Sequence, residues 1–161
     1  MILYDREEFL IQLAQHEGVV LNVYKDSLGI DTIGIGRNLE HRGISDYELD
    51  TMESSIEEIY ENGITLANAY FLANIDIDIV ENELCNTKPV VLDLDAVRQK
   101  VLMDMAFNLG IPRLCKFVKM WNAIESKDYK LASVEMLSSR WAEQVKTRAQ
   151  ILSRAMKDGE F

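Results

Sequence analysis

Glu17, Asp26 and Thr32 fall within a short stretch near the start of the chain and are of types that can act together. Two carboxyls and a hydroxyl suit cleavage of a glycosidic bond with inversion. One protonated carboxyl donates to the leaving oxygen, and a second, ionised one activates water on the opposite face, roughly 6.5–9.5 Å away. Glu17 is the candidate acid: it closes a helical pattern, and the partial negative charge of a last helical turn favours the protonated form. Asp26 is the candidate base, since it opens a turn whose backbone N–H groups favour the ionised form. Thr32 supplies a hydroxyl that helps hold the water. Taken singly, a Glu in a last turn is ordinarily a solvated surface residue and an Asp in a turn ordinarily just a turn former, so the three carry weight only together.

Other chemical templates fail. Gly34-Ile35-Gly36-Arg37-Asn38-Leu39 begins like a dinucleotide fingerprint but puts Leu39 where the third glycine belongs and lacks the strand-to-helix context. There is no P-loop, nucleophile elbow or zinc-protease motif. His16, His41, Cys85 and Cys115 offer no metal-ligand spacing, so neither metal nor cofactor is expected. Two cysteines are too few for a disulfide framework and read as buried free thiols.

The elements that must position the trio can be read from local signals. Asp5 with Glu8, the stripe Phe9, Leu10, Leu13, Ala14, and Gly18 beyond it describe a helix of about three turns. Residues 19–38 change to period two around Asp26-Ser27-Leu28-Gly29, a β-hairpin or three-stranded sheet. Ser45 with Glu48 forms a capping box, and Gly63 ends the pattern, so one helix is expected over 46–62. Leu66, Tyr70, Ala73, Ile77, Val80 and Leu84 then recur at helical spacing, giving a helix of about five turns. After Pro89 all is helical: Asp95 caps a helix ending at Gly110, Pro112 opens another, and further patterns run to Met156. The expected fold is α+β, mainly α. A small N-terminal lobe with the sheet (1–64) is joined by a long helix (65–86) to an all-helical C-terminal lobe (87–161).

At 161 residues the chain suits about one domain. With 17 basic and 27 acidic residues its net charge is −10, which argues against a nucleic-acid partner. The charge is uneven: residues 1–66 hold 4 basic and 14 acidic side chains, and residues 111–161 hold 10 and 6. Acids in Met1–Glu8 and the lack of any 18-residue apolar run imply synthesis in the cytosol, with neither a signal peptide nor membrane insertion.

The block Glu17-Gly18, Tyr24-Lys25-Asp26, Gly29, Thr32-Ile33-Gly34-Ile35-Gly36 resembles the active-site block of phage-type lysozymes, those of the T-even phage endolysins above all. Similarity continues through Leu94 to Arg98, Phe107, Gly110, Phe117, Ser139-Arg140-Trp141 and Arg148-Ala149. The resemblance implies a lysozyme-like fold and a muramidase cleaving the β-1,4 bond between N-acetylmuramic acid and N-acetylglucosamine in peptidoglycan. It implies Glu17 as general acid, Asp26 as the carboxylate that activates water, and Thr32 as its partner. It further implies a cleft between the lobes bridged by the 65–86 helix, Asn38 and Phe107 as substrate contacts, and Trp141 and Arg148 packed around Glu17. A Glu17–Arg148 ion pair would then oppose the helix-end effect.

The resemblance also implies action on peptidoglycan glycan strands in the cell wall after release from the host cytoplasm by a separate pore former, a holin, and a monomer is expected because the cleft needs no partner chain. Arg37 stands where close relatives carry a His whose acidic partner matches Asp76, so an Arg37–Asp76 ion pair is expected, without the neutral-pH titration of a His. Met120 and Glu135 also depart from the relatives' residue types. A lytic transglycosylase would need the acid but neither Asp26 nor Thr32, and a non-catalytic wall-binding module would need none of the three.

Overall fold

A computed structural model describes all 161 residues. Helix α1 (Arg6–Glu17) starts where the Asp5 carboxylate accepts the Glu8 N–H at 2.8 Å, and it stops at Gly18, whose φ of +78° suits glycine. Strands β1 (Val20–Lys25), β2 (Asp31–Gly34) and β3 (Arg37–Asn38) form one antiparallel sheet in that order. Tyr24 lies opposite Thr32, and Thr32 opposite Asn38.

The helix expected over 46–62 is two helices, α2 (Asp46–Met52) and α3 (Ile56–Asn62). Glu53 turns left-handed at φ 52°, the Ser54 N–H reaches back to the Leu49 carbonyl, and Ser55 caps α3 by accepting the Glu58 N–H at 3.2 Å. Ser55 and Glu58 are thus a second capping signal inside an apparently continuous pattern. The Ser45–Glu48 box forms as expected.

Helix α4 (Leu66–Thr87) has 22 residues, about six turns rather than five. Its buried row is Ala69, Leu72, Ala73, Ile77 and Leu84, whereas Leu66 is exposed. The row is rotated from the expected one because Ala69 lies against Gly34: a Cβ on that glycine would stand 3.6 Å from the Ala69 Cβ. Leu72 joins Ile33, Met52 and Ile59 in a small core.

The chain forms two compact units, residues 10–78 and residues 1–9 with 79–161. The second unit is helical. A 3-10 turn (Pro89–Asp93) precedes α5 (Ala96–Leu109), whose stretch Val101–Ala106 is buried on every side. Around it come α6 (Ile111–Cys115), α7 (Val118–Glu125), α8 (Tyr129–Leu137), α9 (Arg140–Val145) and α10 (Thr147–Asp158). Fully buried Gln99 ties the N-terminal segment to this unit: its amide donates to the Met1 and Val91 carbonyls and accepts from the Leu3 N–H. Arg98 closes the end of α10, donating to the Met156 and Lys157 carbonyls while its guanidinium lies 3.7 Å from the Tyr129 ring centre. Cys85 and Cys115 are free, but half-buried rather than buried.

Candidate active site

Glu17, Asp26 and Thr32 all belong to the unit spanning residues 10–78. Glu17 is the last residue of α1 and is half-buried, as is Asp26 at the hairpin turn. Asp26 holds that turn together. Its Oδ1 accepts the N–H groups of Leu28 at 2.8 Å and Ile30 at 2.9 Å, while its own N–H donates to the Ile30 carbonyl. Oδ2 accepts no hydrogen bond from the chain.

Thr32 is buried on the central strand, and its hydroxyl donates to the same Ile30 carbonyl at 3.0 Å. Ile30 therefore anchors both groups, through its N–H to Asp26 and its carbonyl to Thr32. With its proton committed to Ile30, Thr32 Oγ1 offers lone pairs, as does Asp26 Oδ2. Both are acceptors fixed through one backbone residue, and each is able to accept a hydrogen bond from water. The sequence did not mark Ile30, because the contacts that make it an anchor are backbone contacts.

Tyr24 lies directly opposite Thr32. Burial first, then the negative charges of Glu17 and Asp26, raise its hydroxyl above its ordinary value, so it stays a neutral donor. Asn38 accepts the Glu40 and His41 N–H groups on Oδ1 at 2.9 and 2.8 Å, which shapes the loop beyond β3 and leaves its amide nitrogen without a partner in the chain.

The other expected site residues lie in the helical unit. Phe107 is half-buried in the last turn of α5. Trp141 is buried at the start of α9, donates to Asn108 Oδ1 at 2.9 Å and meets the Phe117 ring edge-on. Arg148 is buried on α10, where Nε donates to Asp104 Oδ1 at 2.8 Å and a terminal nitrogen lies 2.7 Å from the same oxygen. Asp104 was missed by the sequence reading, although a lone carboxylate in Leu102-Met103-Asp104-Met105-Ala106 signals a buried partner. This unit also carries a groove of about 520 Å³. Phe117 and Trp141 line it with the exposed cations Arg113, Lys116, Lys119 and Arg140, and Glu135 is its sole carboxylate. No three His, Cys, Asp or Glu side chains converge in a way that would hold a metal ion.

A carboxylate and a hydroxyl presenting lone pairs on one hairpin, beside a helix-terminal Glu, are the equipment of a lysozyme-type glycoside hydrolase. Comparison with known proteins gives the same class. The family model described as phage lysozyme matches residues 14–157, and the chain belongs to that family.

Among curated relatives, the chain is 26% identical over 156 residues to probable T4-type lysozyme 2 of Dictyostelium discoideum, covering 91% of this chain and 92% of that protein. Probable T4-type lysozyme 1 of the same organism is 26% identical over 160 residues, covering 91% of this chain and 92% of that protein. The pre-baseplate central spike protein Gp5 of Enterobacteria phage T4 is 29% identical over 157 residues, which are 92% of this chain but 27% of that longer protein. No helix is long and apolar enough to cross a membrane.

Proposed function

We propose that the chain hydrolyses the β-1,4 bond between N-acetylmuramic acid and N-acetylglucosamine in bacterial peptidoglycan, with inversion. Glu17 protonates the leaving oxygen. Asp26 Oδ2 and Thr32 Oγ1 accept hydrogen bonds from a water, and Asp26 takes one of its protons as the water oxygen bonds to the anomeric carbon, the other staying on the new hydroxyl. The shared anchoring of Asp26 and Thr32 on Ile30 carries this reading, because a lytic transglycosylase has no use for a water held in that way.

Asn38 and Phe107 are the proposed sugar contacts. Trp141 and Arg148 are the proposed supporting residues of the helical unit. The protein works as a monomer on glycan strands of the cell wall, released by a separate holin at the end of a phage infection. Its likeness to a phage spike protein supports a second setting, wall penetration as a virion component.

Digestion of purified peptidoglycan followed by mass spectrometry tests the reaction. Reducing muramic-acid ends that disappear with Glu17→Gln and Asp26→Asn are expected, and 1,6-anhydro ends would overturn hydrolysis. Detection of the chain in purified virions would move its role from release to entry.

A further inference from the structure

The Glu17, Asp26 and Thr32 roles leave one polar group on this side of the hairpin unused. Residues directly opposite each other on antiparallel strands project to the same face, so Tyr24 on β1 shares a face with Thr32 on β2. Asp26 follows two residues after Tyr24 and is tied to Thr32 through Ile30. The Tyr24 hydroxyl makes no hydrogen bond to the chain, although the residue is half-buried. The hydroxyl is not sealed inside the fold, since no buried side-chain polar atom lacks a partner, so water is the partner open to it.

The geometry of water states what is missing. A water has two protons and two lone-pair directions. In the proposed reaction its two O–H groups donate to Asp26 Oδ2 and Thr32 Oγ1, the proton facing Asp26 passes to that carboxylate, and one lone pair attacks the anomeric carbon. The second lone pair needs a donor if the water is to be fixed in orientation, and neither Asp26 nor Thr32 has a proton to give. We propose that Tyr24 is a positioning residue whose neutral hydroxyl donates to the attacking water and completes its tetrahedral shell. This inference rests on the hydrolytic reading above.

The charged groups that act on Tyr24 are Glu17, at the end of α1, and Asp26, at the end of its own strand. Both are acidic, and both keep the phenol in its donor form across the working pH range. The Tyr24 proton is not consumed in the reaction. It holds the oxygen until the new bond forms and remains on the phenol afterwards.

Tyr24→Phe keeps the ring and removes only the donor. On soluble peptidoglycan glycan fragments it is expected to lower kcat about fivefold, the size of one hydrogen bond, with KM and Tm unchanged. A merely structural role would move Tm or KM along with kcat, so the split between them is the readout. Wild-type kcat for Tyr24→Phe, with Glu17→Gln inactive, would overturn the inference while sparing the reading beneath it. Full activity of Glu17→Gln would overturn both.

Discussion

Arg37 Nε lies 2.8 Å from Asp76 Oδ2 inside the 10–78 unit. It is one of five hydrogen bonds that use every donor of the guanidinium, the others going to Glu48 twice and to the Gly43 and Leu72 carbonyls. Arg37 and Glu48 are almost fully buried, at 2% and 1% exposure. Removing the cation leaves Glu48 and Asp76 with only the partly exposed Arg42, 3.4 Å from each, so Arg37→Met is expected to cost about 3 kcal/mol in urea denaturation. Arg37→Lys is expected to recover only part of this, because an ammonium cannot serve carbonyls and carboxylates in a fork. A Lys variant as stable as the wild type would contradict this account.

The same cluster sets a pH dependence. Burial pushes the Glu48 carboxyl up, but the Arg37 hydrogen bonds and the Ser45 N–H more than reverse it and hold it below its ordinary value. A carboxyl depressed in the folded state contributes stability above its unfolded pKa and loses it as pH falls through the folded one. Asp76 runs the other way: burial raises it more than Arg37 and Arg42 lower it. Its contribution is therefore present at low pH and fades as pH rises through the raised value. Denaturation midpoints measured from pH 2.5 to 8 are expected to show a steeper acid loss below about pH 4.5 in the wild type than in Glu48→Gln, and no step between about pH 6 and 8. Replacing Arg37 by His is expected to introduce such a step, with stability falling as pH rises through the histidine's folded-state pKa.

At Gly63 the chain passes close against the backbone of β1. A Cβ there would stand 2.2 Å from the Leu21 carbonyl oxygen, the same oxygen that accepts the Ile64 N–H, and φ is +75°. Gly63→Ala is expected to cost roughly 1–3 kcal/mol or more and to loosen the join between α3 and β1, read as faster amide exchange at Ile64. Gly29, with open space around the equivalent position, serves as the control: Gly29→Ala bears only the cost of its backbone angle.

What the sequence made legible was mostly local. Asp5 with Glu8, Ser45 with Glu48 and Asp95 before Arg98 each satisfy helix-end N–H groups within three residues, and each formed as the pattern required. The misreadings arise where distant contacts decide. Ala69 rather than Leu66 faces inward because its side chain packs against the Gly34 backbone. The Arg37–Asp76 pair was legible only through family resemblance, and the second carboxylate, Glu48, was hidden behind its role in a capping box that it also fulfils. Asp104 shows the same limit, because its partner Arg148 lies 44 residues away.

That last pair gives a further test. Asp104 is fully buried, and it anchors Arg148, a proposed supporting residue of the active site. Asp104→Ala is expected to destabilise the helical unit by about 3–5 kcal/mol, as one half of a buried ion pair is lost. Asp104→Asn keeps the shape and part of the hydrogen bonding. It is expected to fold, with activity reduced more than its stability, when both are measured below its melting transition. Equal loss of the two would make the pair purely structural.

Charge distribution predicts the response to salt. Residues 10–78 hold 13 acidic and 3 basic side chains, whereas the helical unit holds 14 of each, so the whole net charge of −10 resides on the unit with Glu17 and Asp26. The exposed cations around the helical-unit groove are local, and a local attraction acts over a few ångströms rather than across the solution. Raising ionic strength from about 0.01 M to 0.15 M shortens the screening length from about 30 Å to 8 Å, which removes long-range steering but leaves short contacts. A strongly basic lysozyme loses attraction to an anionic wall over that range. This chain has no net positive field to lose, and screening also relaxes the repulsion from its acidic unit. Turbidity loss of permeabilised Gram-negative cells is therefore expected to change less than about threefold between those salt concentrations. Reversing groove charges with Lys119→Glu and Arg140→Glu is expected to slow it at both. A steep fall with salt in the wild type would show that long-range attraction, not the groove, brings the enzyme to its substrate.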